Sequence, residues 1–302
     1  MTEKLTLRDN AAVRWAALLL LALAMFCSYI FMDILSPIKD LMQSERGWDS
    51  LAFGTMQGSE TFLNVFVFFL IFAGIILDKM GVRFTALLSG GVMLIGAVIK
   101  WYAVAEGFKG SGLEAWFTNN LNYIPGFDEL GISPFYQGMP ASAKLAAVGF
   151  MIFGCGVEMA GITVSRGIVK WFKGGEIALA MGSEMALARL GVATCMIFSP
   201  FFAKLGGQVD VSRSVAFGVV LLMIALIMFI ASTATPSILA QISSASCSTQ
   251  PGCGKYCVNS LCATLHISPF SLNRIHLLLV VPASSAITYF AILFPPLSFG
   301  FI

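Results

Sequence analysis

GFMIFGCGVEMAGITVSRGIVKWFKGGEIALAMGSEMALARL, residues 149–190, decides how the chain is read. The flanks of Glu158 and of Arg189 are apolar enough to cross hydrocarbon, which puts a carboxylate and a guanidinium near mid-bilayer depth. Insertion scales set a charged side chain at a helix centre at roughly 2.5–3.5 kcal/mol, so such residues face a protein interior or a water cavity and act there. Arg166, Lys170 and Lys173 between the two flanks make the stretch a helical hairpin whose turn lies on the cytoplasmic side.

Composition extends this reading to the whole chain. Charged residues make up 11% and hydrophobic ones 58%, against about 25% charged in a soluble domain, so the protein is read as an integral membrane protein with the lipid bilayer as its first partner. A net charge of +2 argues against a nucleic-acid partner. Cys27, Cys155 and Cys195 lie in apolar runs and read as packing residues. The first apolar run, 13–32, is longer than a signal-peptide core and lacks a small-residue cleavage site, so it is retained as a helix.

Six spans are expected, at 12–35, 51–77, 82–104, 143–169, 176–202 and 214–234. Lys4, Arg8 and Arg14 precede the first, Lys79 and Arg83 follow the second, and the basic link already described follows the fourth. The positive-inside rule then gives a multi-pass protein of the cell inner (plasma) membrane with a cytoplasmic N-terminus. Residues 1–235 form the expected bundle, and the acidic loop 106–142 an extracytoplasmic cap with a short helix near 113–117. Residues 236–302 read as an aberrant, frameshifted or linker-like tail with one broken apolar helix over 275–302. Its Cys253, Cys257, Cys262 and His266 lack the Cys-x2-Cys pair of a structural zinc site, so no metal is expected. No nucleophile motif, phosphate loop or nucleotide fingerprint occurs, which argues against an enzyme and leaves a coupling proton as the one conceivable cofactor.

The expected fold class is all-α, a membrane bundle of two inverted three-helix repeats. The intramembrane charges follow that pattern: Asp33, Glu60, Glu158, Glu184 and Arg189 fall in the first, second, fourth and fifth spans, and the cores of the third and sixth carry none. Four helices should therefore line a polar cavity. Gln57, Glu60 and Asn64 share one helix face, with Gly54 and Gly58 as a close-approach pair. Glu60 reads equally as a proton carrier or a hydrogen-bonded structural residue, and Asp33 as a cavity residue or a partner for the helix end at Ser36 and Pro37. Glu184 and Arg189 lie about 140° apart around their helix. Arg189 is expected to face inward, and Glu184 to sit at a helix interface or at the cytoplasmic end. Lys100 and Lys144 are expected to snorkel at the outer interface.

GIILDKMGVR, residues 74–83, resembles the loop signature between the second and third helices of the major facilitator superfamily, Gly-x-Leu-Ala-Asp-Arg-x-Gly-Arg-Arg. It matches at Gly74, Asp78, Gly81 and Arg83, with Lys79 a like-charge match. CSYIFMDILSP, GCGVEMAG, WFKGGEIALAMG and MALARLG resemble the branch that contains the lysosomal dipeptide uniporter and its bacterial relatives. The resemblance implies an N-terminal six-helix half of a transporter that moves a small polar solute by alternating access, as symport or uniport. A zwitterionic dipeptide would be held by Glu158 at its amino group and by Arg189, bidentately, at its carboxylate, with Asp33, Gln57, Glu60, Asn64 and Tyr29 completing the site. Gly74, Asp78, Lys79, Gly81 and Arg83 would form a gating latch in which Gly74 allows close helix approach and Asp78 caps a helix or pairs with Arg83. The chain reads as truncated after one half, so a second transporter half or a homodimer is the expected partner and the monomer is expected to be inactive. The alternatives are a carrier of another organic anion and a non-transporting membrane remnant.

Overall fold

The computed structural model describes residues 11–125, 127, 133–205 and 209–248, with side chains as far as residue 232. The tail cysteines, His266 and the broken apolar helix of the tail lie outside the described residues. All secondary structure among the described residues is helical. Five helical stretches are long and apolar enough to cross a membrane, which fits an all-α membrane protein.

Helix α1 (Ala11–Met32) is a leucine- and alanine-rich run that stops ahead of Pro37, whose 3-10 turn Ser36–Ile38 leads into the short α2 (Lys39–Arg46). Helix α3 (Ser50–Phe66) starts on Asp49, whose carboxylate accepts the Ala52 N–H at 2.8 Å and so satisfies one of the free donors of the first turn. Helices α4 (Phe69–Val104), α5 (Gly112–Asn120), α6 (Ala141–Trp171), α7 (Glu176–Ala203) and α8 (Val211–Ser248) follow. Helix α5 is capped by the Ser111 hydroxyl, which accepts the Glu114 N–H at 3.2 Å, and it lies in the loop ahead of α6.

The second expected span, 51–77, is broken. Phe68 takes the left-handed conformation (φ 54, ψ 34) between α3 and α4, a backbone state that costs a bulky residue about 1–2 kcal/mol. Just ahead of it Phe62 and Phe66 form an aromatic cluster with Phe127, ring centroids 5.0–5.5 Å apart, while Phe68 itself is exposed. The turn expected near 78–82 is reduced to one non-helical residue, Gly81, whose φ of 81 is a glycine conformation.

Packing is organised around two helices. Helix α6 carries α3 and α4, while α1 lies on α7 and meets α8. The crossings are built on glycines. Gly96 of α4 and Gly149 of α6 bring their backbones together, and a Cβ on Gly149 would stand 2.7 Å from the Lys100 backbone nitrogen. Gly154 receives the Glu60 carbonyl of α3, and Gly191 of α7 lies where a Cβ would meet the Phe26 carbonyl of α1 at 2.5 Å. Gly218 of α8 is likewise closed off by Phe31 and Ile34. The expected close-approach pair, Gly54 and Gly58, faces open space, as does Gly74, because α6 meets α3 on the face bearing Met56 and Ser59 instead.

Two lysines correct the sequence reading. Lys100 and Lys144 do not snorkel: they are 0% and 1% exposed. Lys100 continues the buried stripe Ser89, Met93, Gly96 and Ala97 of α4 into the crossing with α6. Lys144 is covered by the loop ahead of α6, its ammonium donating to the Phe117 carbonyl at 3.1 Å and to Asn122 Oδ1 at 2.8 Å.

The two ends of the bundle are tied differently. At one end Arg14 donates to Glu176 at 3.0 Å, Trp15 packs edge-on against Phe172, and Asp78 pairs with Arg166. At the other the Trp48 indole donates to the Ser142 hydroxyl at 2.8 Å, and Tyr136 donates to Asp49 at 3.2 Å.

Candidate functional site

Tyr29 is the point where the expected charges converge. It is half-buried on α1, and the guanidinium carbon of Arg189 lies 5.4 Å from its ring centroid. The Tyr29 hydroxyl lies in the electrostatic field of Arg189, Glu158, Glu184 and Glu60 together. Helices α1, α3, α6 and α7 thus bring one cation and three carboxylates within electrostatic range of a single phenol. Glu158 and Arg189 form no ion pair with each other among the described residues.

Helix periodicity explains the orientation of α7. Ala180, Glu184, Ala188, Gly191, Cys195 and Ser199 recur at three- and four-residue spacing and form its buried face. Glu184 lies within that stripe, 5% exposed. Arg189 is one residue off it and lies exposed on the surface of the bundle rather than inward, with its guanidinium turned over Tyr29. Glu158 is half-buried on α6.

Asp33 sits in the turn that follows α1 rather than within the helix. Its carboxylate accepts from the Ser36 hydroxyl and from the Gln57 amide, both at 3.3 Å, and the same amide reaches the Met32 carbonyl at 3.4 Å. Gln57 therefore fastens the end of α1 to α3. Glu60, one turn on, is fixed where its carbonyl meets Gly154. Asn64 follows with both amide atoms buried and without hydrogen-bond partners. Leaving a buried polar atom unmatched costs about 1–3 kcal/mol.

Lys100, expected at the outer interface, is instead buried beside the carboxylates. Its ammonium has no hydrogen-bond partner and lies over the rings of Phe150 at 3.6 Å and Phe31 at 5.2 Å. Glu60 and Asp33 act on it electrostatically, and Glu60 in turn feels Glu158. The helix expected to carry no interior charge thus supplies the cation behind the carboxylates. Its heptad spacing from Met93 was the available signal.

The latch residues fall on the Arg14 end. Asp78 pairs with Arg166 of α6 rather than with Arg83, because α4 and α6 lie side by side there. Lys79 and Arg83 are exposed, and Gly81 turns the chain between the two segments of α4.

No protein-family model, curated protein or solved structure matches this chain. The functional reading therefore rests on the residues and their geometry.

Proposed function

We propose that the chain is the N-terminal six-helix bundle of a major-facilitator-type transporter for a small polar solute of the dipeptide class. The observation that carries this reading is that Arg189 lies over the Tyr29 ring while Glu158 acts electrostatically on the same phenol: opposite charges, donated by α7 and α6, with no ion pair between them. Such an arrangement suits a zwitterion, with its carboxylate taken by the guanidinium and its amino group by Glu158.

The helix pairing supports the repeat. Helix α1 meets α7 and α8, as α6 meets α3 and the second segment of α4, which are the pairings that two inverted three-helix sets require. Arg189, an exposed cation within a stretch apolar enough to span, needs protein or water against it rather than lipid. Alternating access supplies both through an opposing bundle, which is a second transporter half or a second copy of this chain. The protein then resides in the plasma membrane with its Arg14 and Arg166 end in the cytoplasm, and it performs no covalent chemistry.

Equilibrium binding of a radiolabelled dipeptide to the purified protein tests the reading, followed by uptake into proteoliposomes with and without an opposing half. Glu158→Gln and Arg189→Ala should each lower affinity at least tenfold, which corresponds to the loss of one charge-assisted contact. A dipeptide bound equally well by wild type and both variants sinks the proposal. A carboxylate-only solute bound through Arg189 and indifferent to Glu158→Gln would instead select the organic-anion carrier, a reading favoured by Arg189 being the more exposed of the two charges.

A further inference from the structure

The end of the bundle that carries Trp48 and Tyr136 contains a cavity of about 370 Å³, lined by the end of α2, the loop around α5 and the first turn of α6. Three cations, Arg46, Lys109 and Lys144, and two carboxylates, Glu45 and Glu114, line it. No ion pair joins any of the three cations to either carboxylate, and the cations outnumber the carboxylates by one. Both carboxylates are engaged by backbone. Glu45 accepts the Val211 N–H at 3.4 Å, and Glu114 accepts the Gly110 N–H at 2.6 Å.

The cations keep spare donors. Lys144 is 1% exposed and spends two of its three ammonium hydrogens on Phe117 and Asn122, which leaves one. Arg46 has a buried Nε with no hydrogen-bond partner. Lys109 is exposed at the mouth. The first turn of α6 forms part of the wall at Ala141 and Ser142, and the positive end of its dipole adds to the same field.

We propose that this cavity is a binding site for an oxyanion, a phosphate group of net negative charge carried by a free solute or by an anionic lipid headgroup, held by Arg46 and Lys144 with Lys109 closing over it. A buried ammonium and a guanidinium with unmatched donors present the fixed, partly desolvated positive charge that charge-assisted bonds to a phosphate require. The volume accommodates a headgroup-sized molecule. The site is independent of the solute reading at Tyr29, since it shares no residue with it.

The test uses the full chain in a neutral detergent. Unfolding temperature and native mass spectra are recorded with inorganic phosphate, with a short-chain phosphatidylglycerol, and with phosphatidylcholine of the same chain length. The comparison protein is the double variant Arg46→Gln/Lys109→Gln, with Arg46→Lys as the charge-conserving control and gel-filtration profile as the check on folding. Saturable binding of phosphate or of phosphatidylglycerol, stronger than that of phosphatidylcholine and weakened about tenfold per cation removed, bears the proposal out. Response to phosphate identifies a soluble source, and response to phosphatidylglycerol alone a lipid one. Binding that is absent for both anions, equal for the two lipids, or unchanged in a well-folded double variant overturns it.

Discussion

The Lys100 ammonium lies 3.6 Å from the centroid of the Phe150 ring, in the crossing of α4 and α6, so an aromatic face stands where an anion is expected. Two rings serve a cation that has no hydrogen-bond partner, and a desolvated contact of this kind is worth about 2 kcal/mol. Phe150→Leu should therefore cost more when Lys100 is present than when it is replaced. A double-mutant cycle with Lys100→Met, read from denaturation in detergent, should return a coupling of about 1–2 kcal/mol. Strictly additive effects would leave Lys100 without its aromatic support.

Gly154 is the position least able to accept a side chain. A methyl group there would run into the Glu60 carbonyl, and backbone cannot swing away as a long side chain can. Gly154→Ala should destabilise by about 1–3 kcal/mol and push α3 off α6. Gly54→Ala and Gly58→Ala, which meet nothing within 4 Å, should be neutral or raise stability through helix propensity. Melting temperatures of the three variants decide it.

The partner of Asp78 is open to the same treatment. Its pair with Arg166 is partly exposed, with side-chain exposures of 68% and 42%, so removing either member should cost less than about 1 kcal/mol. Asp78→Asn and Arg166→Gln should be non-additive, while Asp78→Asn combined with Arg83→Gln should add. Reversed behaviour would return the latch to Arg83.

At Tyr29 the ring positions the guanidinium that takes the solute carboxylate in the proposed mechanism. Tyr29→Leu should weaken dipeptide binding about threefold, as the loss of a solvent-accessible cation–π contact implies, and Tyr29→Phe should retain affinity. Equal losses in both variants would assign the effect to the hydroxyl instead.

Burial, and after it the Asp49 carboxylate that accepts its proton, raises the Tyr136 phenol above its usual pKa. A raised folded value means that the contribution is complete below the unfolded value, about 10, and is lost as pH rises through the folded one. The stability difference between wild type and Tyr136→Phe should be constant up to about pH 10 and shrink above it. A difference that grew with alkali would contradict the contact.

The hairpin of α6 and α7 was legible because two long apolar runs flank a short basic link; in the structure α6 takes in Arg166 and Lys170, and the turn is residues 172–175 around Lys173. The polar stripe Gln57, Glu60 and Asn64 was legible from spacing alone. Its partners were not. Gln57 finds Asp33 where the turn after α1 meets α3, and Arg189 finds Tyr29 through the packing of α1 on α7. Periodicity describes one helix at a time and carries no record of which helices meet. Lys100 was misread for a related reason: closeness to a helix end suggested an interface, whereas its register with Met93 and Gly96 directed it inward. The break at Phe68 had no marker, since a run of aromatic and β-branched residues contains neither glycine nor proline.

The attachment of α1 has a bearing on biogenesis. Arg14 meets Glu176 across a separation of 162 residues, so the first helix emerges from the ribosome long before its partner exists. Its mean hydropathy of 2.3 permits it to enter the bilayer ahead of the helices on which it packs. The contacts of α1 with α6 and α4, Phe31 on Phe153 and Ser28 on Met93, need no α7, whereas the Arg14–Glu176 tie closes only once residue 176 has been made.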